Sequence, residues 1–512
     1  MLHRLRGLGL SARVLEAGDG VGGTWYWNCY PGARCDVESM QYSYSFDEDL
    51  QQEWTWSERY PSQPEILRYI NHVADRFDLR RDIQLQTRVQ SAVYDEARRL
   101  WTVSTEQGER LEARFVISAV GCLSAARVPQ MPGLETFSGR WYHTGNWPHE
   151  AVDFSGLRVG VIGTGSSGIQ TIPAIARQAA QLTVFQRSPN FSIPAWNGPL
   201  SAEAQQAWKA EYRQHREKAR TTRSGILYEY STRSALSVSE DERQAEYERR
   251  WARGGANFTH AFNHLFFDAR ANETAAEFVR NKIRGIVRDP AVAALLTPTD
   301  HPIGTKRICV DTDYYATYNL PHVKLVSLRQ DPIREIVPQG IRTECATHEL
   351  DAIVFATGYD AVTGALERID IRGEGGRSLA REWARGPRTY LGLMGAGFPN
   401  LFTITGPISP SVFTNVVVSI EQHVDWIADC LKHMQDKGWR HIATDEAAVE
   451  GWMAHAQDIA SKTLFGQANS WYLGANVPGK PRVLLPYLGG LGNYTAICDE
   501  VAADGYRGFQ FA

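Results

Sequence analysis

No apolar run in the 512-residue chain reaches the ~20 residues that a membrane span needs. The seven cysteines (Cys29, Cys35, Cys122, Cys309, Cys345, Cys430 and Cys498) are scattered, odd in number and without a CxxC pair. That excludes a disulfide scaffold and a cysteine zinc site, and it favours a reducing, cytoplasmic compartment. Excess charge of one sign is absent too. Lysine and arginine total 54 against 58 acids, a net charge of −4, so the positive surplus that drives nucleic-acid or membrane-surface binding is missing. No signal-peptide core follows Arg4 and Arg6. Short-period repeats and long low-complexity tracts are lacking as well. The composition that remains, 43% hydrophobic and 22% charged, is that of a globular protein. At about 150 residues per domain, the length suits three domains.

The chain carries one complete dinucleotide fingerprint and half of another. Leu157–Ile162 reads as a buried strand. It runs into Gly163-Thr164-Gly165-Ser166-Ser167-Gly168, then a helix over Ile169–Gln181 and a second strand over Leu182–Gln186. Gly163 permits a tight turn, Gly165 lets the backbone approach a pyrophosphate, and Gly168 lets helix and strand pack closely. The helix N-terminus offers free N–H groups to phosphate. Arg187 follows the second strand, where an acid would signal NAD. A guanidinium there suits a 2′-phosphate and predicts NADP(H). The half-fingerprint is N-terminal. An amphipathic helix over Met1–Leu8 leads to a strand over Ser11–Glu16 and a loop with Gly18, Gly20, Gly22 and Gly23. Glu16 stands where an acid takes ribose hydroxyls, or it is an ordinary strand-end carboxylate. The strand and GxGxxG turn that belong before that helix are missing from the chain.

Other segments complete an α/β reading. Ser62-Gln63-Pro64-Glu65 has capping-box spacing before a helix with Ile66, Leu67, Ile70 and Val73. Ile83–Val89, Ala92–Tyr94 and Trp101–Ser104 alternate like antiparallel strands. Phe115–Val120, Ala352–Ala356 and Leu401–Thr405 read as apolar strands. Ser201 to about Pro298 is Arg/Glu-rich, and its charge runs read as solvated helix faces. The expected organisation is two Rossmann-like domains with a helical insertion. Residues 1–125 continued by 360–512 form one domain, 126–193 continued by 303–359 the other, and 194–302 the insertion.

One motif points to a family. Phe137-Ser-Gly139-Arg-Trp-Tyr-His143-Thr-Gly-Asn-Trp147-Pro148 fits FxGxxxHxxxWP and lies just before the glycine turn. It resembles the fingerprint of Baeyer–Villiger monooxygenases, with the phenylacetone and steroid monooxygenase subgroup nearest. Gly22–Ser39, Ser57–Tyr69, Gly304–Arg307, Gly386–Leu393, Gly397–Phe402 and Ser470–Val483 resemble the same family. The resemblance implies FAD and NADPH as cofactors, a ketone and O2 as small-molecule partners, and an ester or lactone formed through a C4a-peroxyflavin. Neither a nucleic-acid partner, nor membrane insertion, nor a bound metal is expected.

By the same resemblance, Arg307 in GTKR is the catalytic arginine and Asp36 in GARCD orients it. Without the resemblance, the two residues read as a buried ion pair holding two domains together. Lys306 joins Arg187 at the 2′-phosphate, and Thr164 and Gln170 face the cofactor or the surface of their helix. Gly23, Thr24, Trp25, Tyr26 and Trp27 flank the flavin or pack a core. Trp471 lies in a lid over NADP, and Val416, Phe413 and Leu473 are pocket candidates. The helix opening near Ser411 points a positive end at the flavin. His143 is structural, with no second ligand at HxxxH or HxxE spacing. Cys122 and Ile408 depart from the family pattern, in which glutamine and glycine are common there. The alternatives are an N- or S-oxygenating flavin monooxygenase, and a non-catalytic NADP-binding remnant lacking FAD.

Overall fold

In the computed structural model, which describes Met1–Ala512, the strand Arg158–Ile162 is covered on both faces, as parallel sheets require. Val159 and Val161 face one side, with Ile169, Ile172 and Ile175 of the helix Ser166–Ala176. Ile162 faces the other side, with Phe185, Ile353 and Phe355. Five parallel strands form this sheet, in the order Val323–Ser327, Gln181–Gln186, Arg158–Ile162, Ala352–Phe355, Arg140–His143. Strands remote in sequence become neighbours because each returns through a crossover. Ala352 lies opposite Val159 on one side and Arg140 on the other.

The segment between the strands Gln181–Gln186 and Val323–Ser327 is largely helical, with helices Ala202–Ala210, Tyr212–Thr221, Glu240–Arg253, Ala269–Ile286 and Pro290–Leu296. Its charge runs are not all solvated. Arg216, Arg250 and Arg280 are buried and donate to partners such as the Gln41 carbonyl, Glu246 and Glu273. Tyr247, Trp251, Phe258 and Phe278 from this segment join the core beneath the parallel sheet. The insertion is thus part of the scaffold, not an appendage.

The N-terminal region is built differently from the sequence reading. The helix spans Leu2–Gly7 and the strand only Val14–Leu15. Ile83–Gln84 pairs parallel with that short strand. It is not the start of the antiparallel run, which consists of Val89–Asp95, Leu100–Thr105 and Arg110–Ala113. Alternation within Ile83–Val89 could not reveal the partner, because pairing direction is a long-range property. Val116–Ser118 pairs parallel with Leu401–Thr403. These two parallel pairs are not joined into one sheet. The capping box at Ser62 does not form. The helix Gln63–Arg76 starts there, but Ser62 makes no side-chain cap. Glu65 instead accepts from the Ser57 N–H at 2.8 Å and the Ser57 hydroxyl at 2.9 Å. A tertiary partner took the carboxylate that local spacing had assigned to the cap. No helix is long and apolar enough to cross a membrane.

Candidate active site

A single cavity of about 2790 Å³ runs between the parallel sheet and the N-terminal region. That exceeds the roughly 300–1,000 Å³ of an ordinary small-molecule pocket, and it suits two extended ligands. One arm lies at the carboxyl edge of the parallel sheet, where α/β folds bind dinucleotides. Gly163, Thr164, Gly165, Ser166, Ser167, Gln170, Arg187 and Lys306 line it. The other arm is lined by Glu16, Gly23, Thr24, Trp25 and Trp27. Asp36, Arg307 and Trp471 line the same cavity.

The geometry of the glycine turn fits a dinucleotide. Gly163 has φ +108°, a conformation that side chains avoid. A Cβ on Gly165 would meet nothing within 4 Å, so the backbone there is open to a ligand. A Cβ on Gly168 would lie 2.2 Å from the Gly163 carbonyl. Gly168 lies off the cavity wall, as do Tyr26 and the pocket candidates Phe413 and Leu473, whereas Val416 lines it; close packing is the contribution of Gly168. Thr164 donates its hydroxyl to the Ser188 carbonyl at 3.1 Å. Gln170 is committed to the protein: it donates to the Arg34 carbonyl at 3.0 Å and accepts from the Tyr30 hydroxyl at 2.8 Å. Burial holds Lys306 below its ordinary pKa, and Arg187 and Arg329 add to the effect while Asp300 opposes it. Cations crowded this way favour an anionic ligand.

The second arm has a carboxylate acceptor and aromatic surfaces that fit a flavin nucleotide. Glu16 accepts from the Gly18 N–H at 2.8 Å and keeps a second oxygen for a ligand. Gly18 and Gly20 are tight against Tyr26, whose ring a Cβ on either would approach to 2.8–2.9 Å. Tyr26 is therefore buried packing, while Trp25 and Trp27 reach the cavity. The glycines beside Glu16 on this wall are Gly22 and Gly23.

Arg307 joins the two arms. Its Nε donates to Asp36 Oδ2 at 2.6 Å and its Nη2 to Asp36 Oδ1 at 2.8 Å. Its Nη1 donates to the Val412 carbonyl at 2.5 Å. This bidentate fork fixes the guanidinium plane. Burial opposes charge on both groups. The mutual attraction outweighs it, so Asp36 stays below the usual carboxylate range and Arg307 rises well above its own. Gly304, at φ +81°, turns the chain into this position, and a Cβ there would strike Phe266 at 2.3 Å.

Two features escaped the sequence reading. The Val412 carbonyl has no sequence signature, since every residue carries one. The segment holding it is strained: Thr405, Ile408 and Ser411 all have positive φ. Ile408, at +62°, adopts a conformation natural to glycine, which explains why glycine suits that position. The predicted helix near Ser411 is a short 3-10 turn over Ser411–Phe413, and the long helix begins at Val416. His143 is buried; its Nδ1 accepts from the Gly145 N–H at 3.0 Å, and its Nε2 lies 3.1 Å from the Arg127 carbonyl. Both nitrogens are spent on backbone, which gives the residue a structural role.

The chain is similar to known oxygenases over its whole length. A family model described as pyridine nucleotide-disulphide oxidoreductase matches residues 36–241. A phenazine N-monooxygenase of Lysobacter antibioticus is 45% identical, covering 99% of this chain and 94% of its own. An acetone monooxygenase (methyl acetate-forming) of Gordonia sp. is 42% identical, covering 100% and 96%. The structure of an oxidized steroid monooxygenase bound to NADP superimposes with a TM-score of 0.96 at 53% identity, covering 100% of this chain and 96% of that one. The chain belongs to the Baeyer–Villiger monooxygenases, flavoproteins that pair an FAD-binding and an NADP-binding half of Rossmann type.

Proposed function

We propose that this chain uses NADPH, FAD and O2 to convert ketones to esters or lactones. The Arg307 guanidinium carries the reading: Asp36 and Val412 grip it beside a cavity that the glycine turn also enters. FAD, when bound, supplies oxygen in reactive form. Arg307 does not release its proton at working pH, so it serves as a fixed positive charge. It stabilises the negative charge that develops on oxygen as the carbonyl is attacked. Asp36 spends both oxygens on Arg307 and therefore aims the guanidinium. Arg187 and Lys306 take the 2′-phosphate, the Gly165 turn takes the pyrophosphate of NADP(H), and Trp471 covers it. Glu16, Gly23, Thr24, Trp25 and Trp27 hold the flavin nucleotide. On this reading 1–125 with 360–512 is the FAD half, 126–193 with 303–359 the NADP half, and 194–302 the insertion. All seven cysteines are free thiols, which supports the cytoplasm as the compartment.

The test is ester formation from a ketone by Arg307→Ala. A loss of roughly 100-fold or more is expected, the scale for removing a donor from an oxyanion site, with NADP+ affinity kept. Full ester formation by that variant overturns the assignment. The phenazine N-monooxygenase relative favours a second reading, oxygenation of a heteroaromatic nitrogen. Products from a ketone and from a phenazine, compared side by side, decide between them: an ester supports the first, and an N-oxide alone the second.

A further inference from the structure

The strand Gln181–Gln186 ends in Arg187 and Ser188, and its parallel neighbour Val323–Ser327 ends in Leu328 and Arg329. Ser327 lies opposite Gln186, and the Leu328 N–H donates to the Gln186 carbonyl at 2.8 Å. Arg187 and Arg329 therefore leave the sheet at the same edge. The Arg329 guanidinium donates to the Ser188 hydroxyl at 2.9 Å and pairs with Asp300. The other Asp300 oxygen lies 2.6 Å from His301 Nδ1, on a ring with only 1% of its surface exposed. Burial, reinforced by Lys306, lowers the His301 pKa to about 4, so the ring is neutral at pH 7 and donates Nδ1–H. Arg187, Lys306, Arg329 and Asp300 all line the cavity with the glycine turn.

The charges of this cluster match one kind of ligand. Three cations facing one carboxylate leave two positive charges in excess. A phosphate monoester carries about −1.5 to −2 near neutral pH. Asp300 hydrogen-bonds His301 and Arg329, and its single charge offsets only part of the cluster.

We propose that Arg329 is a third ligand of the 2′-phosphate of NADP(H), held in place by Asp300, and that it contributes to the preference over NADH. The proposal rests on the reading of Arg187 and Lys306 as 2′-phosphate partners. A guanidinium already clamped by Asp300 and Ser188 loses little freedom on binding, so its contact is realised at low entropic cost.

The experiment is calorimetric titration of the full-length protein with adenosine 2′,5′-bisphosphate and with adenosine 5′-monophosphate, which lacks the 2′-phosphate. Arg329→Ala is expected to weaken the bisphosphate about ten-fold, the scale of one charge-assisted hydrogen bond, and to leave the monophosphate within about two-fold. Retained monophosphate binding shows that the variant is folded. Arg329→Lys is expected to recover part of the loss. Asp300→Asn is expected to weaken the bisphosphate although it removes a negative charge; tighter binding refutes the positioning role of Asp300. If Arg187→Ala weakens the bisphosphate and Arg329→Ala does not, the role of Arg329 is refuted and the site stands. If neither does, the 2′-phosphate reading falls with it.

Discussion

Cys122 Sγ lies 3.0 Å from Ser411 Oγ, one residue before the carbonyl that accepts from Arg307. The thiol also reaches the Thr405 carbonyl at 3.3 Å. Cys122 thereby ties both ends of the strained 405–411 segment, and burial keeps it protonated by raising its pKa. Cys122→Ala leaves the buried Ser411 hydroxyl short of a partner, at a cost of about 1–3 kcal/mol. The expected outcome is a lower turnover with NADP+ affinity unchanged, and recovery in Cys122→Ser. Equal turnover in Cys122→Ala and the parent rules out a link between this thiol and Arg307.

The Asp36–Arg307 pair makes stability depend on pH in a defined sense. Burial alone would raise the Asp36 pKa; the Arg307 charge and its two hydrogen bonds lower it below the ordinary 3.8. The unfolded chain therefore takes up the proton first. The pair contributes fully above about pH 4 and fades as acid drops through the folded pKa. Asp36→Asn is expected to cost about 1.5–3 kcal/mol at pH 7, with the gap to the parent closing toward pH 3. Urea melts across that range test it. A gap that widens in acid contradicts the ion-pair account.

Two glycines of one turn separate folding from binding. Gly165 has open space where a Cβ would go, whereas at Gly168 a Cβ meets the Gly163 carbonyl at 2.2 Å. Gly165→Ala should keep the melting temperature and lose NADP+ affinity, because the methyl occupies the ligand's space. Gly168→Ala should lower both. Thermal melts and NADP+ titration on the two variants reveal whether the effects separate.

His423 sets a second acid limit. Its Nδ1 accepts from the Thr405 N–H at 2.9 Å, and its other nitrogen lies 2.9 Å from the Tyr494 hydroxyl, which donates to the Leu391 carbonyl. The ring is thus the neutral Nε2–H tautomer, and burial lowers its pKa to about 3. Unfolding lets it charge at its ordinary 6.5. Stability should fall by about 1.4 kcal/mol per pH unit between those values. His423→Gln should show a shallower decline between pH 6.5 and 4. An identical slope in the variant disproves the buried neutral ring.

Local patterns were legible wherever the chemistry is local. The strand Arg158–Ile162 runs into the glycine turn as its spacing predicted, but the helix already starts at Ser166 and stops at Ala176, five residues short of the expected end. The sequence reading misplaced features whose partner is distant. Glu65 left its capping box for Ser57, and Ile83–Gln84 paired with Val14–Leu15. Arg329 was passed over because nothing near position 329 says which strand lies beside it. The buried arginines of the insertion looked like surface charge, since a charge run is the same string whether water or Glu246 receives it.

The order of residues determined by itself which groups can do chemistry here: glycines that admit a phosphate, an arginine that keeps its proton, and a carboxylate that can accept from it. Those are properties of side chains and of short spacing, and they survive without a fold. Only the tertiary structure decided that Asp36 and Arg307, 271 positions apart, share two hydrogen bonds, and that the Val412 carbonyl completes the grip. Long-range placement follows from which apolar faces bury together and which strands lie side by side. That is a balance over the whole chain that no single segment records.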